Sequence, residues 1–344
     1  MEFLPVLDPL DKPKEGLWYS LIPRGSAPGV CVGHTCTFMS SEGGKGRIII
    51  VGGANPSGSF SHSQIVNLDN HEWDIPEWEG LEARYEHCCF VPESYPQSLW
   101  VFGGAQQSGN RSCIQSLQLR DTGSHWKDVS VKGKPPCPRT YHTNSACIGD
   151  KLYVYSGGEA GDAPVSDQTL HVFDAVSSTW SQPETQGRCP PVRHGHIIVA
   201  VGSNIYIHGG MAGNKFHSDI YALDTGSMRW ETVRAKGDVP PGVAAHSAVV
   251  LGKSIYIFGG MTAEGASNNM YRFNTGKARW VLMKFEGDMP PNRLDHSMCL
   301  LPWRVCEGSS DGPQASEPIH LAFVFGGMDT QGVILNDCIV TVVT

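Results

Sequence analysis

The chain has 344 residues, with 40 glycines, 23 prolines, 11 cysteines and 26 basic against 34 acidic side chains, for a net charge of −8. The acidic balance and the lack of any basic block argue against nucleic acid as a partner. The cysteines show no C-x-x-C pair or repeated spacing that would suggest a zinc or disulfide framework, and no apolar run has the length of a signal peptide or a membrane span. Reduced thiols in a cytoplasmic protein are the expectation.

In chain order the predicted elements repeat. A short β-like run, Trp18–Ile22, comes first. The first full unit has a strand opened by His34, the run Ile48–Ala54 (IIIVGGA) ending on Gly52 and Gly53, and Trp73 in a further short strand. The second has His87, Leu99–Ala105 (LWVFGGA) with Gly103 and Gly104, and Trp126. The third has His142, Leu152–Glu159 (LYVYSGGE) and Trp180; either Ser156 takes the first glycine's place or the pair has slipped to Gly157 and Gly158. The fourth has His196, Ile205–Met211 (IYIHGGM) with Gly209 and Gly210, the alternating run Asp219–Asp224, and Trp230. The fifth has His246, Ile255–Met261 (IYIFGGM) with Gly259 and Gly260, and Trp280. The sixth has His296 and Ala322–Met328 (AFVFGGM) with Gly326 and Gly327.

A period of about 50 residues marks a repeat architecture, and four short strands per unit make a propeller blade. Such a blade has two apolar faces and must stack on neighbours until a ring closes. The predicted fold is therefore all-β, a single six-bladed propeller of four antiparallel strands per blade over residues 1–344. The glycine pairs sit where the second strand ends and the chain turns, and a nearby Trp is expected to pack against that surface.

Closure follows from spacing. Trp18 precedes His34 by 16 residues, the interval that also separates Trp126, Trp180, Trp230 and Trp280 from the following His. The sixth unit's own Trp would fall near position 347, three beyond Thr344. The N-terminal strand is thus expected to complete the last blade. In that blade the His-to-Gly spacing is 30, against 13 to 18 elsewhere. The excess, Arg304–Pro318, is rich in Gly, Ser, Pro and acids and reads as a mobile surface loop.

Four units carry Arg three residues before the His: Arg84, Arg139, Arg193 and Arg293. Their loops share one face of a propeller. There they could form a partial guanidinium ring for carboxylates or phosphates of a partner, or brace the loops through backbone carbonyls. One His per blade is expected to be structural. Equivalent residues on blades roughly 10 Å apart cannot share a zinc with 2.0–2.1 Å bonds, so no metal and no cofactor are predicted. No Ser–His–acid signature, nucleophile elbow or phosphate loop is present. The prediction is a binding protein, with a propeller enzyme such as a sugar mutarotase or oxidase as the alternative. Trp78, Phe216 and Trp303 are possible exposed anchors for a partner.

The Gly pairs, the spaced aromatic and the R-x-x-H opening together resemble kelch repeats over nearly the whole chain. The stretches GGANP, ARYEH, STWSQPET, AAHSAV, IYIFGGMT, PPNRLDHSMCLLPW and DCIVTVV further resemble the Rab-effector members of that family. Cys31 and Val243 depart from the pattern, standing where other repeats have Arg. The resemblance implies a non-enzymatic adaptor that binds a Rab GTPase of the late endosome in its GTP-bound form. It also implies a role in returning mannose-6-phosphate receptors to the trans-Golgi network, from a cytoplasmic pool peripherally attached to those membranes.

Overall fold

The run before each glycine pair is rich in Ile, Val, Tyr and Phe because it is buried on both faces. Arg47–Val51, Ser98–Phe102, Lys151–Val154, Asn204–His208, Ser254–Phe258 and Ile319–Phe325 are the second strands of six blades. The computed structural model describes residues 3–120, 122–140, 144–305 and 317–344. Each of the six sheets has four antiparallel strands, joined in chain order in the first five. Thr35–Met39, Arg47–Val51, Ser63–Asn67 and Glu72–Asp74 form the first. The innermost strands ring a central channel, and the apolar core lies between neighbouring blades.

The last blade is closed by the N-terminal strand, as the spacing predicts. Trp18–Leu21 pairs antiparallel with Cys338–Val342, Trp18 opposite Thr341 and Leu21 opposite Cys338. Trp18 is 1% exposed. Its indole packs on Phe258 of the fifth blade, with ring centroids 4.8 Å apart. The same relation recurs around the ring. Trp73 meets Phe325, Trp180 meets Phe102, Trp230 meets Tyr155 and Trp280 meets His208. Each of these five Trp therefore lies on the residue that immediately precedes a glycine pair, or Ser156–Gly157 in the third blade, in the blade behind its own.

The glycines themselves receive a different ring. Gly209 and Gly210 have φ of 70° and 94°. A Cβ on Gly209 would stand 2.7 Å from Cε1 of His246, and one on Gly210 would stand 2.8 Å from Cβ of His196. The expectation that Trp covers the glycines is thus corrected. The His of the same blade and the His of the next occupy that surface, while Trp packs one residue upstream. In the third blade Ser156, at φ 60°, takes the first glycine's place and Gly157 the second. Gly158 begins the following hairpin, opposite Pro164.

Blades are also stitched at the rim. The chain leaving each outer strand makes a parallel bridge to the outer strand of the next blade: Glu79 to His125, Lys132 to Thr179 and Gln186 to Arg229. Lys236–Gly237 does so as a short fifth strand beside Arg279–Leu282. The first hairpin of the last blade extends to Trp303 opposite Ile319. Of the predicted loop 304–318 beyond it, residues 306–316 lie outside the described residues, as does His142.

Candidate functional site

The loops that enter each blade, the glycine pairs and the short hairpins after them share one face. The four arginines lie there, but none presents a guanidinium to solvent: each is 0% exposed. Arg193 donates from Nη1 to the carbonyl of Gly209 at 2.9 Å and to Asp219 Oδ1 at 2.6 Å, and from Nε to the carbonyl of Pro191 at 3.0 Å. It lies 5.5 Å from the ring centre of Tyr221. Arg293 repeats this with Gly326, Asp337 and Pro291. Arg139 donates to the Ser156 carbonyl and to Asp167, and Arg84 to the Gly103 carbonyl and to Gln115. Burial by itself would raise the Asp219 carboxyl, but the hydrogen bond and charge of Arg193 outweigh it and hold the group below its ordinary value. This is the bracing geometry, in which every guanidinium fork is spent inside its own blade.

The histidines are structural in the same sense. Nε2 of His34, His196 and His296 lies 2.8, 3.1 and 3.0 Å from the carbonyl oxygens of Phe325, Tyr155 and Phe258. Each ring thus spans a blade boundary beneath a glycine pair. His208 stands where four other blades have Phe or Tyr and the first has Val51; its Nδ1 is 3.1 Å from Nε2 of His246, and burial lowers its pKa to about 3.

Nearer the axis, the residue before five of the six His takes a left-handed conformation. Gly33, Glu86, Gly195, Ala245 and Asp295 have φ of 67°, 52°, 66°, 57° and 54°. Their backbones are joined circumferentially. Glu86 N–H donates to Gly33 O, Gly33 N–H to Asp295 O, Asp295 N–H to Ala245 O and Ala245 N–H to Gly195 O, at 2.7–3.1 Å. A cavity of about 180 Å³ opens here, lined by Glu86, His194, Met211, Met261 and Asp295 among others. Burial, and then the charge of Asp295, push the Glu86 carboxyl up to about 8. Sequence reasoning missed this pair of carboxylates. Glycine at two of the five positions was the available sign that the backbone turns left-handed there.

The channel behind the mouth is a cavity of about 400 Å³ whose wall includes Cys36, Cys89, Cys147 and Cys299. It is bridged by Asn144 of the third blade, which pairs through both ends of its amide with the backbone of Ala248 in the fifth, at 2.9 and 3.2 Å. The cysteines among the described residues are free thiols, and no cluster of metal-ligating groups occurs among those residues. Of the aromatic anchors expected from sequence, Trp303 is buried and donates to the Asp11 carbonyl, because the N-terminal segment folds over it. Trp78 and Phe216 are half-buried.

Comparison with known proteins agrees with this architecture. Residues 33–260 match the family model described as KLHDC2/KLHL20/DRC7 Kelch-repeats domain, and residues 243–284 match the Kelch motif. A Danio rerio protein named Rab9 effector protein with kelch motifs is 68% identical over 354 residues, covering 100% of both chains. Proteins of the same name are 56% identical in Xenopus laevis, over 99% of this chain, and in Bos taurus, over 100% of it. Each alignment spans 100% of the relative. With its six glycine-turned blades and its matching repeats, the chain belongs to the kelch-repeat family.

Proposed function

We propose that this protein is a non-enzymatic Rab effector that binds a Rab9-type GTPase in its GTP-bound form and supports transport from late endosomes to the trans-Golgi network. The observation that carries the reading is end-to-end similarity, at 56–68% identity, to proteins named for that role. The physical argument is one of recognition. An effector reads nucleotide state by touching the switch loops that the γ-phosphate and its magnesium keep ordered. A tenfold preference requires only about 1.4 kcal/mol of differential contact. A rigid ring whose loops and hairpins converge on one face offers such a surface. On this reading a cytoplasmic pool is recruited to endosomal and Golgi membranes through the GTPase.

The test is capture of the purified protein by immobilised Rab9 loaded with GDP or with a non-hydrolysable GTP analogue. Retention by the GTP-analogue form alone is the expected result. Equal capture by both forms, or by neither, rejects the effector reading and returns a propeller enzyme to consideration.

A further inference from the structure

Two blades lack the buried arginine, and the space it fills elsewhere stays open. In the fifth blade Val243 replaces Arg, and a cavity of about 270 Å³ lies beside it. The guanidinium partners of the fourth blade have counterparts in its wall. Pro241 stands for Pro191, and Gly259 for Gly209. Tyr271 stands for Tyr221, since the two occupy the same register opposite Ile257 and Ile207. Asn269 stands for Asp219, each accepting from the first glycine N–H through its own carbonyl. The carboxylate missing at Asn269 is replaced from another direction by Glu264, on the hairpin that forms the outer wall. Glu264 and Asn269 are both exposed, so the cavity is reached from solvent.

We infer that this cavity is a receptor socket for the guanidinium of an arginine side chain presented by a protein partner. The four sister blades show what such a socket accepts: two carbonyl oxygens, an acid or amide, and in the fourth blade an aromatic face. In the fifth blade the same set survives without its resident cation. An entering arginine would donate its fork to the Gly259 carbonyl and to Glu264, and lie against Tyr271. Lysine, a point charge without the planar fork, matches this wall poorly. The first blade is the contrast. Its cavity beside Cys31 is lined by Gly52, His62 and Gln64 and has no carboxylate, so a cation there would lack a counter-charge.

The test uses N-acetyl-arginine amide as probe, with the citrulline and lysine amides as comparators, in saturation-transfer NMR on the full chain. The arginine amide should bind saturably and at least about fivefold more tightly than the uncharged citrulline amide. Val243→Arg places the protein's own guanidinium in the socket, as four sister blades do, and should abolish binding. Cys31→Arg should leave it unchanged. Glu264→Gln, an exposed substitution that spares the fold, should weaken it about three- to tenfold. Absence of saturable binding by the native chain overturns the inference. So does equal binding of citrulline, or undiminished binding by folded Val243→Arg or by Glu264→Gln.

Discussion

The imidazole of His34 lies with Nε2 2.8 Å from the carbonyl oxygen of Phe325, a residue 291 positions later in the chain. That contact joins the first blade to the last, and the N-terminal strand joins them a second way, by completing the last sheet. The ring is therefore held at its seam by a side chain near the axis and by a backbone ladder at the rim.

Loss of the rim ladder is expected to open the seam. Removing residues 1–24 strips Trp18–Leu21 from Cys338–Val342, leaves Thr341 Oγ1 without the Leu17 carbonyl, and uncovers Phe258. The truncated protein should melt several degrees lower or aggregate through the exposed strand edge. A melting curve equal to that of the full chain would mean that the strand is dispensable.

Truncation of a buried arginine should cost stability. In Arg193→Ala the Gly209 carbonyl and Asp219 lose their donor, which should cost about 2–4 kcal/mol, toward the lower end because Asp219 is partly open to water. Arg193→Lys should recover only part of this, since an ammonium cannot serve the carbonyl and both carboxylate oxygens in one plane. Urea unfolding measures both; values within a few tenths of native stability would show that the guanidinium is not a brace.

Acid should weaken the fold through its buried imidazoles. His208 keeps a neutral ring down to about pH 3 when folded, whereas an unfolded histidine protonates near 6.5. The folded value is depressed, so the unfolded chain binds more protons between those limits, and stability falls as pH drops through that window. The slope is about 1.4 kcal/mol per pH unit for each such group. His208→Phe places at this position the residue that the fifth blade carries as Phe258 and should flatten the profile between pH 6.5 and 4. Chemical denaturation at a series of pH values reads the change in slope; an unaltered slope would assign the acid sensitivity to other groups.

Two glycines separate conformational from steric cost. Gly202 has φ of 59° with nothing within 4 Å of an added Cβ, whereas Gly210 has φ of 94° with His196 and the His194 carbonyl at 2.8 and 3.0 Å. Gly202→Ala should cost about 1–2 kcal/mol, the left-handed penalty alone. Gly210→Ala should cost distinctly more, because histidine and backbone must also move. Equal unfolding midpoints for the two variants would refute the close approach.

The period of the glycine pairs and a Trp-to-His interval of 16 in every unit but the one from Trp73, where it is 14, were enough to read the blade count and the strand exchange at the seam. Both are matters of spacing, and a ring that must close fixes spacing. Side-chain placement was less legible. Arg84, Arg139, Arg193 and Arg293 belong to a residue type usually found in water; sequence left bracing and partner binding both open, and the folded blade shows the carbonyl and the carboxylate, or for Arg84 the Gln115 amide, that each one meets. Trp303 was unreadable for a related reason: the Asp11 carbonyl that covers it comes from the other end of the chain. The carboxylates at the mouth escaped notice because Glu86 and Asp295 are distant in sequence and come to opposite sides of Gly33 only when the ring closes.

The backbone bonds around that mouth, from Glu86 to Gly33 to Asp295 to Ala245 to Gly195, all run in the same sense. Peptide dipoles aligned head to tail along a helix accumulate into charged ends. Turned around a curve, the dipoles of these four bonds point in different directions and partly cancel instead of adding along one axis. This arc of backbone thus lends the entrance less polarity than a straight array would, and the carboxylates mounted on it add their own charge. With Glu86 titrating near 8 beside Asp295, the entrance gains negative charge across the mildly alkaline range while the scaffold beneath it stays unchanged.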